Sequence, residues 1–532
     1  MERGIAVLHP LLFEPHMTRP AWNLLTGTLT RYVLLFVNIA IGVFLMPFTM
    51  HHLGKAQYGL WMLAASLTAY LQLLDLGYGN GLVRQVTQAD ARGDEDEMNT
   101  ILSTFMVVYS AIGAIALAAV AVLAAFVLPR FPNLSPADVS TAQTVLILLG
   151  IRVAIAFPMS VFGAVTTARQ RFTLTGWIAV AIAVLQGAVS YIVLRAGYGV
   201  IPLVAVSTVI SISTYVAYAA AARDTFPGMR LSPRRFSTIQ VREVTAFSLY
   251  LFLISIAIHV GTNIDNLIIG AYLGTTAVAV YTVAVRLAEY QRQLCGQFSG
   301  FLFPLVVRFD ASRDNEALHA TLLDGSRIAL GLVGGVTLCL IAFGQQVVSL
   351  WMGPGFGQSI APLYVLVLAG VIMVGQGPAG TILLAAGRHR AVAAASVMDI
   401  LLNIGLSVAL APRYGLAGVA LGTALPYAVL NVVVLVPMAC RTLNVPLRRF
   451  AAVVITPSLV ALLPAVTVAV LLRSAVTPTS FVIVLGECAV VGLVYVGAFC
   501  GFGLRPADRA RYVGAVRRAT TGVTPRMAHS EL

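Results

Sequence analysis

Apolar residues gather into long runs along this chain, and most charged residues fall between them. Fourteen runs are long enough to cross a bilayer, whose hydrocarbon core takes about 20 apolar residues in a helix. They cover 28–50, 58–81, 101–128, 141–165, 173–195, 199–222, 244–272, 277–306, 327–351, 360–385, 391–411, 415–438, 450–473 and 479–503. The pattern predicts an all-α, polytopic membrane protein of fourteen transmembrane helices.

Basic residues are dense in every second loop. With the N-terminus inside, the cytoplasmic segments and tails hold 25 Lys and Arg, the outside loops five, and the spans four. That asymmetry predicts a multi-pass protein of a bacterial inner membrane with both termini cytoplasmic. The long cytoplasmic segments are 82–100, 223–243, 307–326 and the tail after 504. The acidic run Asp94-Glu95-Asp96-Glu97 in the first of them reads as a solvated loop.

The first twelve spans read as two copies of six. Leu53-Gly54 after span one matches Leu273-Gly274 after span seven, each followed by a tyrosine, Tyr58 or Tyr281. The spans that follow close on Val83-Arg84 and Val307-Arg308. Gly197-Tyr198-Gly199-Val200 matches Arg413-Tyr414-Gly415-Leu416, and Arg169-Gln170-Arg171 matches Arg388-His389-Arg390. Six is even, so the repeats are parallel, and two pseudo-symmetric six-helix lobes around a central cavity follow. The expected organisation is a cytoplasmic segment 1–27, an N-lobe 28–222, a linker 223–243, a C-lobe 244–438, two further spans within 450–503 and a basic tail 504–532. The first 27 residues lack the features of a cleaved signal peptide, and Met17, ahead of Thr18-Arg19-Pro20, is a candidate natural start.

Some spans carry polar stripes. At 100° per residue, Arg286, Glu289, Tyr290, Gln293, Gln297 and Gly300 fall within an arc of about 100° on span eight, opposite Leu287, Leu294, Phe298, Phe301 and Leu302. Span one carries Arg31, Asn38, Gly42 and Thr49, and span two carries Thr68, Gln72, Asp75 and Gly79. Ser248, Ser255, His259, Thr262, Asn263 and Asn266 form the stripe of span seven; Ser396, Asp399, Asn403 and Ser407 form that of span eleven. Such faces avoid lipid. The arginines Arg31, Arg152, Arg286 and Arg292 lie within spans, and four exposed to lipid would cost roughly 10–14 kcal/mol. They are expected to meet an acid (Asp75, Asp265, Glu289, Asp399, Glu487), a cavity or an anionic ligand. For Arg286 the competing partner is Glu289, three residues on. His259 is a candidate proton relay or an interior hydrogen-bonding residue. Asp399 and Glu487 are candidates for a coupling proton or for interhelical bonds, and Asp265, off its stripe, favours the latter.

Composition narrows the class. Charged residues are 10% of the chain against about 25% in soluble proteins, and hydrophobic residues are 59%. No stretch is long and polar enough for a soluble catalytic domain. Walker, HExxH and soluble DxD motifs are absent, and Gly77-Tyr78-Gly79-Asn80-Gly81 ends a membrane helix instead of following a strand. No enzyme activity and no cofactor are expected. The five cysteines are scattered without CxxC spacing, which argues against disulfides and zinc. The tail residues Arg509, Arg511, Tyr512, Arg517 and Arg518 suit anionic lipid, and nucleic acid is not an expected partner.

With these features in view, the chain resembles the polysaccharide-transporter branch of the multidrug/oligosaccharidyl-lipid/polysaccharide exporter superfamily, the O-antigen-type flippases. The resemblance rests on residues 53–61 (LGKAQYGLW), on Leu74-Asp75-Leu76-Gly77, on Asp265 through Gly274 with Tyr281, and on residues 414–420 (YGLAGVA); it covers roughly 25–440. It implies transfer of an undecaprenyl-diphosphate-linked oligosaccharide to the outer leaflet by alternating access, for surface polysaccharide or exopolysaccharide synthesis. It also implies coupling to a proton or sodium gradient, and polysaccharide polymerase and chain-length proteins as partners. On that resemblance Arg31 and Arg286 hold the anionic head group, because a guanidinium suits phosphate oxygens. Asn38, Gln72, Tyr290, Gln293 and Gln297 hold the sugars.

Other readings compete. Five interior acids against four arginines keep an ion-coupled exporter of cationic drugs in play, though such exporters usually have twelve spans. A peptidoglycan-precursor flippase shares the fold with a different cargo. A membrane polymerase or ligase would need a large outside loop, and the longest here is about 129–140.

Overall fold

The computed structural model describes residues 19–475, 478 and 480–503, with the side chains of 19–29, 246–251, 253–260, 262, 297–301 and 304 outside that description. Every element among the described residues is helical. Among the described residues, ten helices are long and apolar enough to cross a membrane. Long apolar helices satisfy each backbone group internally, which is what lipid requires.

The first half of the chain runs through α1 (Arg19–Ala69), a 3₁₀ turn (Tyr70–Asp75), α2 (Tyr78–Arg92) and α3 (Glu95–Val122). It continues with α4 (Pro136–Ala168), α5 (Phe172–Arg195) and α6 (Val200–Thr225). The second half holds α7 (Thr238–Leu273), α8 (Thr275–Ala311), α9 (Asn315–Ala320), α10 (Ser326–Met352), α11 (Ile360–Gly375), α12 (Gly377–Ala385), α13 (His389–Val429) and α14 (Val436–Thr442). The last helices are α15 (Leu447–Phe450), α16 (Thr456–Ala475) and α17 (Phe481–Ala498).

Glycine sets the breaks. Gly54 (φ 77°, ψ 162°) interrupts α1, and Gly274 (φ 85°, ψ 171°) separates α7 from α8. The two glycines matched in sequence thus adopt the same backbone, one that residues with a Cβ rarely reach. Gly415 (φ 58°, ψ −136°) breaks α13, whereas its sequence partner Gly199 has φ −80°. The turn at Arg169-Gln170-Arg171 has its hydrogen-bond pattern repeated at Ala386-Gly387-Arg388, so the structural register is two residues earlier than the expected pairing with Arg388-His389-Arg390.

Two expectations of the loops are corrected. Span two stops at Asp75, short of 81, because Leu76 turns left-handed (φ 51°) and Gly77 opens α2. The acidic run is no loop. Asp94 caps α3 by accepting from the Glu97 N–H at 2.8 Å, and Glu95, Asp96 and Glu97 fill its first turn, where the helix dipole favours negative charge.

Among the described residues the buried apolar side chains form four clusters, and two of them are large. One gathers residues from Leu53 to Val244, the other from Ile268 to Phe499, and Met46, Met50 and Tyr58 reach from α1 into the second. Small residues let helices close: a Cβ on Gly59 would overlap the Thr275 carbonyl, and one on Gly113 the Ala154 carbonyl. Links between the halves occur at both ends: near the strap Gln85 Nε2 donates to Glu243 Oε2 at 3.1 Å, and three more lie toward the Gly54 and Gly274 end. Lys55 Nζ donates to Gly355 O at 2.7 Å, Trp351 Nε1 to Val43 O at 2.6 Å and Asn133 Nδ2 to Ala271 O at 2.9 Å.

The segment joining the halves is a strap seated on α3. Asn99 donates to Gly228 O (3.0 Å) and accepts from Arg230 N (2.6 Å). The Ser103 hydroxyl donates to Arg230 O (3.5 Å) and accepts from Ser232 N (3.1 Å), and Thr104 accepts from Ser237 N (3.0 Å). Phe226 and Val244, at either end of the strap, are buried in the first core.

Candidate functional site

The polar face of α8 meets α1. Arg286 donates to Glu289 Oε2 at 3.0 Å, and Gln293 Nε2 donates to Glu289 Oε1 at 3.0 Å, so one carboxylate joins residues one helical turn to either side. The charged pair stays open: the Arg286 side chain is 44% exposed and Glu289 34%. Tyr290 stands over α1 at Gly42, where a Cβ would overlap its hydroxyl. Asn38 lies one turn before Gly42 on that helix and is exposed. Tyr58, past the Gly54 break, is buried within electrostatic reach of Arg286 and Tyr290. Sequence reading used Tyr58 only as a repeat marker; its place beside the site depends on the fold of α1 back across α8.

A guanidinium has five N–H donors, and Glu289 engages one edge of it. A half-exposed ion pair contributes little on its own, so a doubly charged anion in this space competes well for Arg286. Tyr290, Gln293 and Asn38 add hydroxyl and amide groups of the kind that bind sugar hydroxyls.

The remaining predicted residues are not shown in this row of Arg286, Glu289 and Gln293. Arg31 is exposed and stacks over the Phe172 ring at 5.5 Å. Gln72 is exposed on the 3₁₀ turn, and Arg152 is exposed on α4. Arg292 is on α8, within electrostatic reach of Glu289 and Tyr427. The side chains of Gln297 and His259 lie outside the described residues.

The acids separate by partner. Asp75 accepts from Tyr109 Oη (2.8 Å) and Gly79 N (3.3 Å), which makes it a cap inside the first half. Its expected stripe with Thr68 and Gln72 does not form, because the 3₁₀ turn breaks the 100° periodicity. Asp265 accepts from Tyr281 (2.7 Å) and Thr423 (2.8 Å), tying α7 to α8 and α13; Asn403 and Ser407 extend that network to the Val419 carbonyl. Glu487 is buried on α17, and neither oxygen has a hydrogen-bond partner among the described residues. Asp399 lines a separate cleft with Gln376, Tyr427 and Asn431, residues that sequence reading did not connect.

A family model described as "Polysaccharide biosynthesis protein" matches residues 51–361. The uncharacterized membrane protein EpsK of Bacillus subtilis is 23% identical over 423 residues, 77% of this chain and 81% of EpsK. The probable low-salt glycan biosynthesis flippase Agl15 of Haloferax volcanii is 24% identical over 190 residues, covering 35% of this chain and 40% of Agl15. Among solved structures, the fold is similar to the lipid II flippase MurJ in an inward closed conformation: TM-score 0.66, 14% identity, 89% of this chain and 98% of that one. It is also similar to an inward-facing multidrug resistance MATE transporter: TM-score 0.61, 15% identity, 77% of this chain and 99% of that one. At such identities the two structures establish the fold.

Proposed function

The chain belongs to the polysaccharide biosynthesis protein family, and from that premise we propose that it flips a lipid-linked oligosaccharide across the bacterial inner membrane. The cargo is an undecaprenyl-diphosphate oligosaccharide. Six spans on each side of the strap form two lobes, two more spans follow, and the lobes open alternately to the cytoplasm and the far side. Both termini are cytoplasmic, and a proton or sodium gradient drives the cycle. Polymerase and chain-length proteins take the product. Agl15, by its name a probable glycan flippase, and MurJ, a flippase of lipid II, agree with this reading.

One observation carries it. The half-exposed Arg286–Glu289–Gln293 row faces α1 between the halves, with Tyr290 and Asn38 beside it. Diphosphate takes the guanidinium edge as two charge-assisted bonds, while the amides and phenol hold sugar hydroxyls. Export of a cationic drug needs an uncommitted acid in this space, and Glu289 is held by Arg286 and Gln293.

The test is leaflet accessibility of the lipid-linked oligosaccharide in membranes with and without the protein. Loss of the protein should strand the cargo on the cytoplasmic face. Arg286→Ala at normal expression should fail to relieve this, and Arg286→Lys should relieve it in part. Normal flipping by Arg286→Ala would remove the head-group assignment, and altered resistance to cationic drugs without stranded cargo would favour the exporter.

A further inference from the structure

The crossing between the two halves carries charge that its seat on α3 does not use. Residues 223–243 hold five arginines against two acids, Asp224 and Glu243. Arg235 pairs with Asp96 at 3.0 Å, and Glu243 accepts from Gln85 at 3.1 Å. Arg230, Arg234 and Arg242 are exposed, and among the described residues none of the three forms an ion pair.

Apolar side chains are exposed beside these arginines. Met229 and Leu231 pack against the first core, and Arg230 between them is left on the outer side. Phe236 is 43% exposed and Ile239 67%. Ile239 and Arg242 stand one helical turn apart at the start of α7, so they share a face.

The seat also fixes how deep this face lies. Ser232 N donates to Ser103 at 3.1 Å and Ser237 N to Thr104 at 3.0 Å. Both acceptors stand just inside the apolar run that begins at residue 101. The interfacial zone beside the hydrocarbon core is about 5–7 Å thick, roughly four helical residues. Phe236, next to Ser237, and Ile239 therefore lie at the edge of the hydrocarbon. Arg230, whose backbone is held by Asn99, lies at the level of the head groups.

Guanidinium groups over lipid phosphate, with aromatic and aliphatic anchors at the acyl boundary, are how interfacial segments grip a membrane. A soluble partner would have to reach the apolar pair through the head groups, so the depth favours lipid. We propose that this face binds anionic phospholipid of the leaflet on the strap's side. Arg230, Arg234 and Arg242 take the phosphate, and Phe236 and Ile239 meet the acyl chains. Bound lipid then fastens the crossing to the membrane surface, on the side away from α3, whatever the cargo is.

The test titrates detergent-purified full-length protein with phosphatidylglycerol or phosphatidylcholine and counts bound lipid by native mass spectrometry. An arginine near an anionic surface contributes about fivefold to binding, so the wild type should prefer phosphatidylglycerol by at least about 25-fold. Arg234→Gln with Arg242→Gln should remove roughly 25-fold of that preference, and added salt should weaken it. Arg388→Gln with Arg390→Gln, at two exposed arginines of another turn, should keep it. Phe236→Ser with Ile239→Ser should weaken both lipids severalfold and leave the preference intact. All these side chains are exposed, and each variant is first confirmed as folded by size exclusion. No preference in the wild type, or an equal loss from the two arginine pairs, would overturn the site, because the charge would then act from no particular place. Displacement of the lipid by inorganic phosphate would overturn it too, in favour of an anion site that needs no lipid.

Discussion

Lys55 is the only lysine in the chain, and it joins the halves at the Gly54 and Gly274 end. Its ammonium donates to Gly355 O at 2.7 Å and lies 4.3 Å from the centre of the Phe356 ring. A hydrogen bond from a charged group contributes about 1.5–3 kcal/mol, and a cation–π contact near the surface about 0.5–1. Together they hold the amine by about 2–4 kcal/mol, a protection of roughly 30-fold to 1,000-fold at 1.4 kcal/mol per decade. Acylation with an amine reagent, followed by peptide mass spectrometry, reads this one side chain without interference from other lysines. Lys55 should label at least about 30-fold more slowly in the folded protein than in the denatured chain. Phe356→Leu keeps apolar volume but removes the ring, and should speed labelling by roughly twofold to fivefold. If separation of the halves at this end is part of transport, cargo that drives opening should speed it further. Labelling of the folded wild type at the denatured rate, or no response to Phe356→Leu, would refute the clasp.

Two further outcomes follow from packing and from the strap. Gly59→Ala places a methyl group on the Thr275 carbonyl; overpacking of this kind costs about 1–3 kcal/mol and should lower the thermal midpoint, whereas a wild-type midpoint would mean that α1 and α8 are less closely apposed. Asn99→Ala leaves Gly228 O and Arg230 N without their partner, at about 1–3 kcal/mol each. Amide exchange at Arg230 should accelerate markedly, and unchanged exchange would show that the strap is held by other contacts.

The membrane character was legible because apolar runs of bilayer length are rare in chains that fold in water. The Gly54 and Gly274 repeat was legible too, since a backbone that excludes Cβ leaves a glycine in the sequence. The Arg286–Glu289 pair followed from helical spacing alone. Asp75 did not: a wheel drawn at 100° per residue misplaces side chains on a 3₁₀ turn, where i and i+3 eclipse. The Asp399 cleft was out of reach on different grounds. Its walls come from residues 376, 399, 427 and 431, which only tertiary packing brings together. The acidic run misled because a capping aspartate followed by three acids looks, as composition, like solvated loop.

The strap between the halves is gripped by its main chain. Asn99, Ser103 and Thr104 together make five bonds, all to backbone atoms of Gly228, Arg230, Ser232 and Ser237. What seats this crossing is therefore encoded in good part in α3, alongside Met229 and Leu231, which pack against the first core, and Arg235, which pairs with Asp96 at 3.0 Å. Proline is barred in addition at Arg230, Ser232 and Ser237, because each gives up an N–H. A saturation scan for folded protein should thus find intolerance at Asn99, Ser103 and Thr104 on one helix face and at Met229 and Leu231 in the crossing, while the exposed Arg234 and Phe236 accept most residues.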